Sequence, residues 1–283
     1  MAIQKVSVVG CGLMGSGITQ VCAAAGFPVT VREVDETRLG RGMDSIRKNL
    51  ARAVDKGKLK AGDMESTLKR IKGTTSLADL ADADLVIEAA TEDPPVKKAL
   101  FQELDERLPK HSLIASNTSS ITIMELAAAT RRPDRVLGLH FFNPVPVMKL
   151  VEVVRTITTS DEAYADARAF AQALGKDVVE AKDTTGFVVN RLLVPYMLDA
   201  VRCLEQGLAS KEDIDRGMKL GCGYPMGPFE LLDFVGLDTT LSIAEIMFGE
   251  FREARFAPPS LLRRMVLAGF LGRKSGRGFY EYS

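Results

Sequence analysis

The sequence predicts an α/β fold: a doubly wound sheet with a helical hairpin inserted in it, followed by an all-helical C-terminal domain. Three observations carry this. A β-branched run over residues 5–9 enters Gly10-Cys11-Gly12-Leu13-Met14-Gly15 and leaves as a small-residue helix that stops at Gly26, the strand–turn–helix opening of a Rossmann-like unit. Short apolar runs then alternate with helical spacing as far as Thr184, which is the pattern of a sheet covered by helices. From Gly186 onward only helical spacing continues. The expected domains are therefore 1–184 and 185–283.

The elements follow in order. After the glycine turn a second strand over 29–33 ends in Glu33. Residues 37–54 read as a long helix and 61–71 as a shorter polar one, together forming the hairpin. Strands are expected to return at 85–88, 113–115 and 136–142, with helical segments such as 96–108 between them. Residues 148–154 and 177–180 add two more strands, joined by a helix over 163–174. In the second domain Gly and Pro punctuate helices expected at 187–204, 211–220, 229–235, 239–248 and 259–268.

Composition narrows the function classes. The 283 residues carry no net charge, with 46% hydrophobic and 26% charged residues, so no global field draws the chain to nucleic acid or a membrane, and ionic recognition has to be local. No apolar run is long enough to span a bilayer. Met1 stands a few residues before the first strand, which leaves no room for a signal segment, and a cytoplasmic location is expected. Cys11, Cys22, Cys203 and Cys222 form no Cys-x-x-Cys pair and lack nearby histidines. Neither a metal site nor a disulfide framework is expected.

The glycine turn has a specific chemistry. Gly10 permits the tight turn, Gly12 lets a pyrophosphate approach the backbone, and Gly15 lets the helix lie close to the strand. Leu13 and Met14 bring the first N–H groups of that helix toward the anion. Glu33 closes the next strand 23 positions after Gly10, where a carboxylate accepts hydrogen bonds from an adenosine ribose and repels a 2′-phosphate. NAD is favoured over NADP, with neighbouring Arg32 leaving the second open.

Longer strings go further than the glycine motif. Ala115-Ser116-Asn117-Thr118-Ser119-Ser120, His140-Phe141-Phe142-Asn143-Pro144, Met148-Lys149-Leu150-Val151-Glu152-Val153, Gly186-Phe187-Val188-Val189-Asn190-Arg191, Gly227-Pro228 and the glycine-rich stretch 272–280 resemble the (S)-3-hydroxyacyl-CoA dehydrogenases, particularly the short stand-alone 3-hydroxybutyryl-CoA type. The resemblance covers essentially the whole chain. It implies hydride exchange between NAD and C3 of a 3-hydroxyacyl or 3-oxoacyl thioester of coenzyme A. Rival readings are a related dehydrogenase of free hydroxy acids or sugar acids, and a non-catalytic NAD-binding protein on the same scaffold.

Single residues can be weighed against that implication. Of the two histidines, His111 lies in a polar connection, whereas His140 ends an apolar strand at the edge where open α/β sheets bind ligands. Imidazole can take and return a proton near neutrality; a satisfied core histidine is the alternative. Glu152 shares a strand face with Met148, Leu150 and Val154, which points a carboxylate into an apolar layer unless the strand lies at an edge. By resemblance its partner is His140. Thr122-Ile123-Met124-Glu125 has the form of a capping box, which releases Ser119 for a ligand; the resemblance places Ser119 beside the substrate oxygen and the nicotinamide. Asn190 interrupts an apolar stripe of Phe187, Val194, Met197, Val201 and Leu204, so it needs a partner. The resemblance gives it the substrate carbonyl.

Other positions are carried by the resemblance alone. Glu92, Lys97, Asn143 and Lys274 match positions that contact the dinucleotide, and Asn49 and Lys56 match positions that contact coenzyme A. The last two fall in the one strongly basic segment, 38–60, which has eight Lys or Arg against Asp44 and Asp55. Helical spacing puts Arg41, Lys48, Arg52 and Lys56 near one face. The helical domain resembles the dimerising domain of the family, which implies a homodimer with the substrate cleft beside that domain.

Overall fold

The computed structural model describes residues 3–282. The chain divides into two compact units, Met1–Thr184 and Thr185–Ser283. In the first, eight strands form one sheet in the order β3-β2-β1-β4-β5-β6-β7-β8. They are β1 (Val6–Val9), β2 (Val29–Arg32), β3 (Ile71–Thr74), β4 (Leu85–Glu88), β5 (Leu113–Ser116), β6 (Val136–Phe141), β7 (Leu150–Arg155) and β8 (Asp177–Lys182). The chain runs outward from β1 in one direction to β2 and β3, then returns to β4 on the other side. This reversal opens a crevice at the carboxyl ends of β1 and β4.

Every residue of β1, β4, β5 and β6 is buried, as expected of strands with both faces covered. The helices of this unit are α1 (Leu13–Ala24), α2 (Glu36–Asp55), α3 (Ala61–Lys69), α4 (Pro94–Arg107), α5 (Ile123–Ala127) and α6 (Asp161–Ala173). Their starts follow local chemistry: Asp35, Asp93 and Ser160 each cap a helix through a side-chain oxygen.

Two local expectations are corrected, and one strand direction is added. Residues 71–74 form a strand, so α3 stops at Lys69. This strand pairs only with β2, and two of its four residues are exposed, so it lacks the apolar run that marks the inner strands. Strand β7 runs antiparallel to β6, while every other pairing is parallel. The connection 142–149 is too short for the crossover that a parallel partner needs. Thr122 stands at the start of α5 without capping it through its side chain. The N–H groups of Ile123 and Met124 donate instead to the two carboxylate oxygens of Asp183, at 2.7 and 2.6 Å. A distant carboxylate outcompetes the local box because it satisfies two orphan donors at once.

The second unit contains α7 (Val189–Glu205), α8 (Lys211–Cys222), α9 (Pro228–Val235), α10 (Leu237–Phe251) and α11 (Ser260–Leu267). They pack around Leu198, Phe229, Leu232, Met247 and Phe256. Helix α7 begins at Val189, two residues later than its apolar stripe suggests, because Phe187 has φ +43° and cannot continue a right-handed helix. Buried Asp233 accepts from the backbone of Phe279 and Tyr280 and from the Tyr282 hydroxyl. Asp215 accepts from Phe229, Glu230 and the Tyr280 hydroxyl, while burial pushes its carboxyl above the usual range. These two acids tie the end of the chain onto α8 and α9.

Candidate active site

Buried polar side chains in the central strands are few, and apart from Ser7 in β1 they gather at one edge. Glu88 ends β4, Ser116 ends β5, and His140 stands next to the end of β6. Glu152 joins them because antiparallel β7 starts from that same edge, with Glu152 in register with His140. Directly opposed residues share a face, and His140 Nδ1 lies 2.6 Å from Glu152 Oε2. Glu152 is 0% exposed and His140 6%. A carboxylate at Nδ1 favours a ring proton on that nitrogen. The ring packs against Phe142 at 4.5 Å between centroids.

A second polar group supports the neighbouring loops. Glu88 Oε2 accepts from Lys97 Nζ at 2.5 Å and Ser116 Oγ at 2.7 Å, and Oε1 accepts from the Ala90 N–H at 2.8 Å. Lys97 is 1% exposed, folded back onto β4 rather than projecting from the face of α4. Thr118 Oγ1 donates to Glu92 Oε2 at 2.6 Å, which ties the segment after β4 to the Ser119 loop. Asn117 Oδ1 accepts the Phe141 N–H at 2.9 Å and so joins that loop to the residue after His140. Ser119 itself is half-buried. Glu88, Asn117 and Thr118 were not singled out from sequence; an acid closing an otherwise apolar strand, as Glu88 does, is the signal that could have found the first.

The glycine turn fits a dinucleotide. Gly10 has φ +97°, and a Cβ there would stand 2.5 Å from the Ala89 carbonyl oxygen; one on Gly15 would stand 1.9 Å from that of Gly10. Gly12 has no neighbour within 4 Å of that position, so its backbone faces open space at the start of α1. Beside it lies a cavity of about 500 Å³ reached by Gly12, Leu13, Glu33, Arg38 and Arg41. The Glu33 carboxylate is fixed by the N–H groups of Cys11 and Val34, both at 2.8 Å. Arg32 points elsewhere, with Nε donating to the Thr75 carbonyl. Met14 packs partly buried against the core of the unit.

A second cavity, of about 770 Å³, lies at the other end of α2 and gathers Asn49, Arg52, Lys56 and Lys58 with Lys149 and Lys176. Lys176 is largely buried, and its ammonium donates to the carbonyls of Val145 and Met148 at 2.6 and 2.7 Å. The expected basic face is thus divided. Arg52 and Lys56 stand on this cavity, whereas Arg41 lines the one over the glycine turn, since α2 extends past both. Asn143 is exposed in the turn after β6. In the second unit, Asn190 is half-buried at the start of α7, and Lys274 pairs with Asp238 at 2.6 Å.

A glycine turn over a dinucleotide cavity and a histidine–carboxylate pair at the same sheet edge define an NAD-dependent dehydrogenase. Residues 5–184 match the NAD binding domain of 3-hydroxyacyl-CoA dehydrogenase and residues 186–282 match its C-terminal domain. The chain belongs to the 3-hydroxyacyl-CoA dehydrogenase family, and its cofactor is NAD. It is 54% identical to the 3-hydroxybutyryl-CoA dehydrogenase of Mycobacterium tuberculosis, over 99% of both chains. The crystal structure of M. tuberculosis FadB2 superposes with a TM-score of 0.98 at 53% identity, covering 100% of both chains. That of (S)-3-hydroxybutyryl-CoA dehydrogenase PaaH1 from Ralstonia eutropha gives 0.96 at 47% identity, again over 100% of both. Among the described residues, no helix is long and apolar enough to cross a membrane.

The buried Glu88–Lys97 pair yields a stability prediction. Lys97→Met leaves Glu88 without its counter-charge and should cost about 3–5 kcal/mol in urea unfolding. The double variant Glu88→Gln/Lys97→Met should recover much of that loss. Equal losses in the single and double variants would show that the pair's charges are not coupled.

Proposed function

We propose that the enzyme interconverts (S)-3-hydroxybutyryl-CoA and acetoacetyl-CoA, with His140 as general acid and base. The observation that carries this is the 2.6 Å contact between His140 Nδ1 and a fully buried Glu152. NAD, when bound, supplies the hydride acceptor for C3 of the substrate. His140 takes the hydroxyl proton at Nε2 during oxidation and returns it during reduction. Glu152 holds the ring in that tautomer and offsets the charge of the imidazolium. Ser119 and Asn190 donate hydrogen bonds to the substrate oxygens. Glu33 receives the adenosine ribose, and Gly10, Gly12 and Gly15 with Leu13 and Met14 form the pyrophosphate turn. Asn143 and Lys274 keep their proposed cofactor contacts. Glu92 and Lys97 act beside the cofactor by fixing the Ser119 loop and the end of β4.

The acyl carrier is recognised at the other end of α2. Coenzyme A brings phosphates that a chain of zero net charge must meet locally, and the cavity holding Asn49 and Lys56 gathers five cations. The short acyl chain and the S configuration rest on the similarity to the 3-hydroxybutyryl-CoA dehydrogenases. The enzyme is proposed to be cytoplasmic and to form a homodimer through its helical unit, where Leu192, Leu208 and Leu220 are exposed. A dimeric mass in analytical ultracentrifugation at micromolar concentration is the expected result, and a monomer overturns the dimer.

His140→Ala should lower kcat by ~10²–10⁴ and leave the dissociation constant for NADH unchanged; near-normal turnover would remove His140 from the chemistry. In the oxidation direction, Glu152→Gln should move the acidic limb of the pH–rate profile toward lower pH. Loss of the negative neighbour disfavours the imidazolium, so the base stays competent further into acid. An unmoved limb would mean that the two side chains are not coupled in catalysis.

Lys56→Ala should raise KM for acetoacetyl-CoA, most at low ionic strength, and leave KM for NADH nearly unchanged. A pantetheine thioester lacks the nucleotide phosphates and should be indifferent. If both thioesters lose equally, α2 is not the coenzyme A dock.

A further inference from the structure

The cavity over the glycine turn is lined by one carboxylate, Glu33, and by two arginines of α2, Arg38 and Arg41. The arginines are three residues apart and so lie on one face of the helix. Arg38 Nε stands 3.5 Å from Asp35, an acid whose other oxygen already caps α2. Arg41 belongs to none of the ion pairs among the described residues. The adenosine ribose of NAD offers only neutral hydroxyls, which need an acceptor and no cation. Two arginines therefore exceed what that ribose requires.

We propose that Arg38 and Arg41 form a latent site for a 2′-phosphate, closed by Glu33. The proposal rests on the reading of Glu33 as the ribose acceptor and goes beyond it. Glu33 is held at the cavity wall by the Cys11 and Val34 N–H groups, so its charge cannot swing away from an incoming phosphate. Like charges brought together in this way are strongly disfavoured. With the carboxylate neutralised, the guanidinium groups remain as paired donors suited to phosphate oxygens. Arg32 does not line this cavity, and its Nε donates to the Thr75 carbonyl. Cofactor choice thus depends on a single charge at Glu33, with the cations for the other choice already in place.

Fluorescence titration of NADH and NADPH tests this by equilibrium binding rather than turnover. Glu33→Gln keeps the length of the side chain and one acceptor oxygen. It should weaken NADH several-fold and tighten NADPH by about tenfold or more, with the gain shrinking as salt is raised. In Glu33→Gln/Arg38→Ala/Arg41→Ala the NADPH gain should disappear. Weaker NADH binding with no gain for NADPH, or a gain that survives removal of both arginines, overturns the latent site alone. Unchanged NADH affinity in Glu33→Gln removes Glu33 from the ribose and takes the proposal with it.

Discussion

Burying Glu152 at 0% exposure is possible only because β7 runs back along β6 and sets it opposite His140. An ionised carboxylate in an apolar layer would otherwise give up its charge or its position. The short connection 142–149 imposes the antiparallel direction, the direction imposes the register, and the register brings imidazole and carboxylate to 2.6 Å. The flanking links depend on the same edge: Asn117 holds the Phe141 backbone, and Thr118 holds Glu92. The loop after β5 is thereby tied both to β6 and to the segment after β4.

Helix α2 has two tasks, one at each end. Its first turns carry Arg38 and Arg41 to the cavity over the glycine turn, and its C-terminal half, with Lys56 as its C-cap, carries Asn49, Arg52 and Lys56 to the larger basic cavity. Arg38 and Arg41 thus face one cleft and Arg52 another, so the expected basic stripe is divided. This also shows how a chain with no net charge can meet polyanionic ligands: cations are gathered locally at each cleft.

Much of the fold was legible because its physics is local. Continuous apolar runs identified the inner strands, and helical spacing with Gly and Pro punctuation marked the helices. Strand β3 was not legible, since an edge strand with one partner needs little apolar character, and Lys72 and Gly73 show none. The cap of α5 was hidden for a different reason. Asp183 lies 60 residues from Ile123 in sequence, and no spacing rule reaches so far. At the site, the glycine turn and Glu33 followed from short-range rules, and the pairing of His140 with Glu152 came from resemblance supported by strand alternation. Lys97 shows the limit most clearly: it was carried by resemblance alone as a dinucleotide contact, and no spacing rule signalled that its ammonium is buried against Glu88.

The tether made by Lys176 bears on how the basic cavity opens. Its ammonium is bound to the Val145 and Met148 carbonyls, so the segment between β6 and β7 is anchored at two points to the residue that begins the approach to β8. A wall pinned in this way does not act as a flap, because swinging it outward would strand a buried cation without acceptors. The cleft is consequently preformed, and a long flexible ligand entering it gives up its own freedom while the protein gives up little.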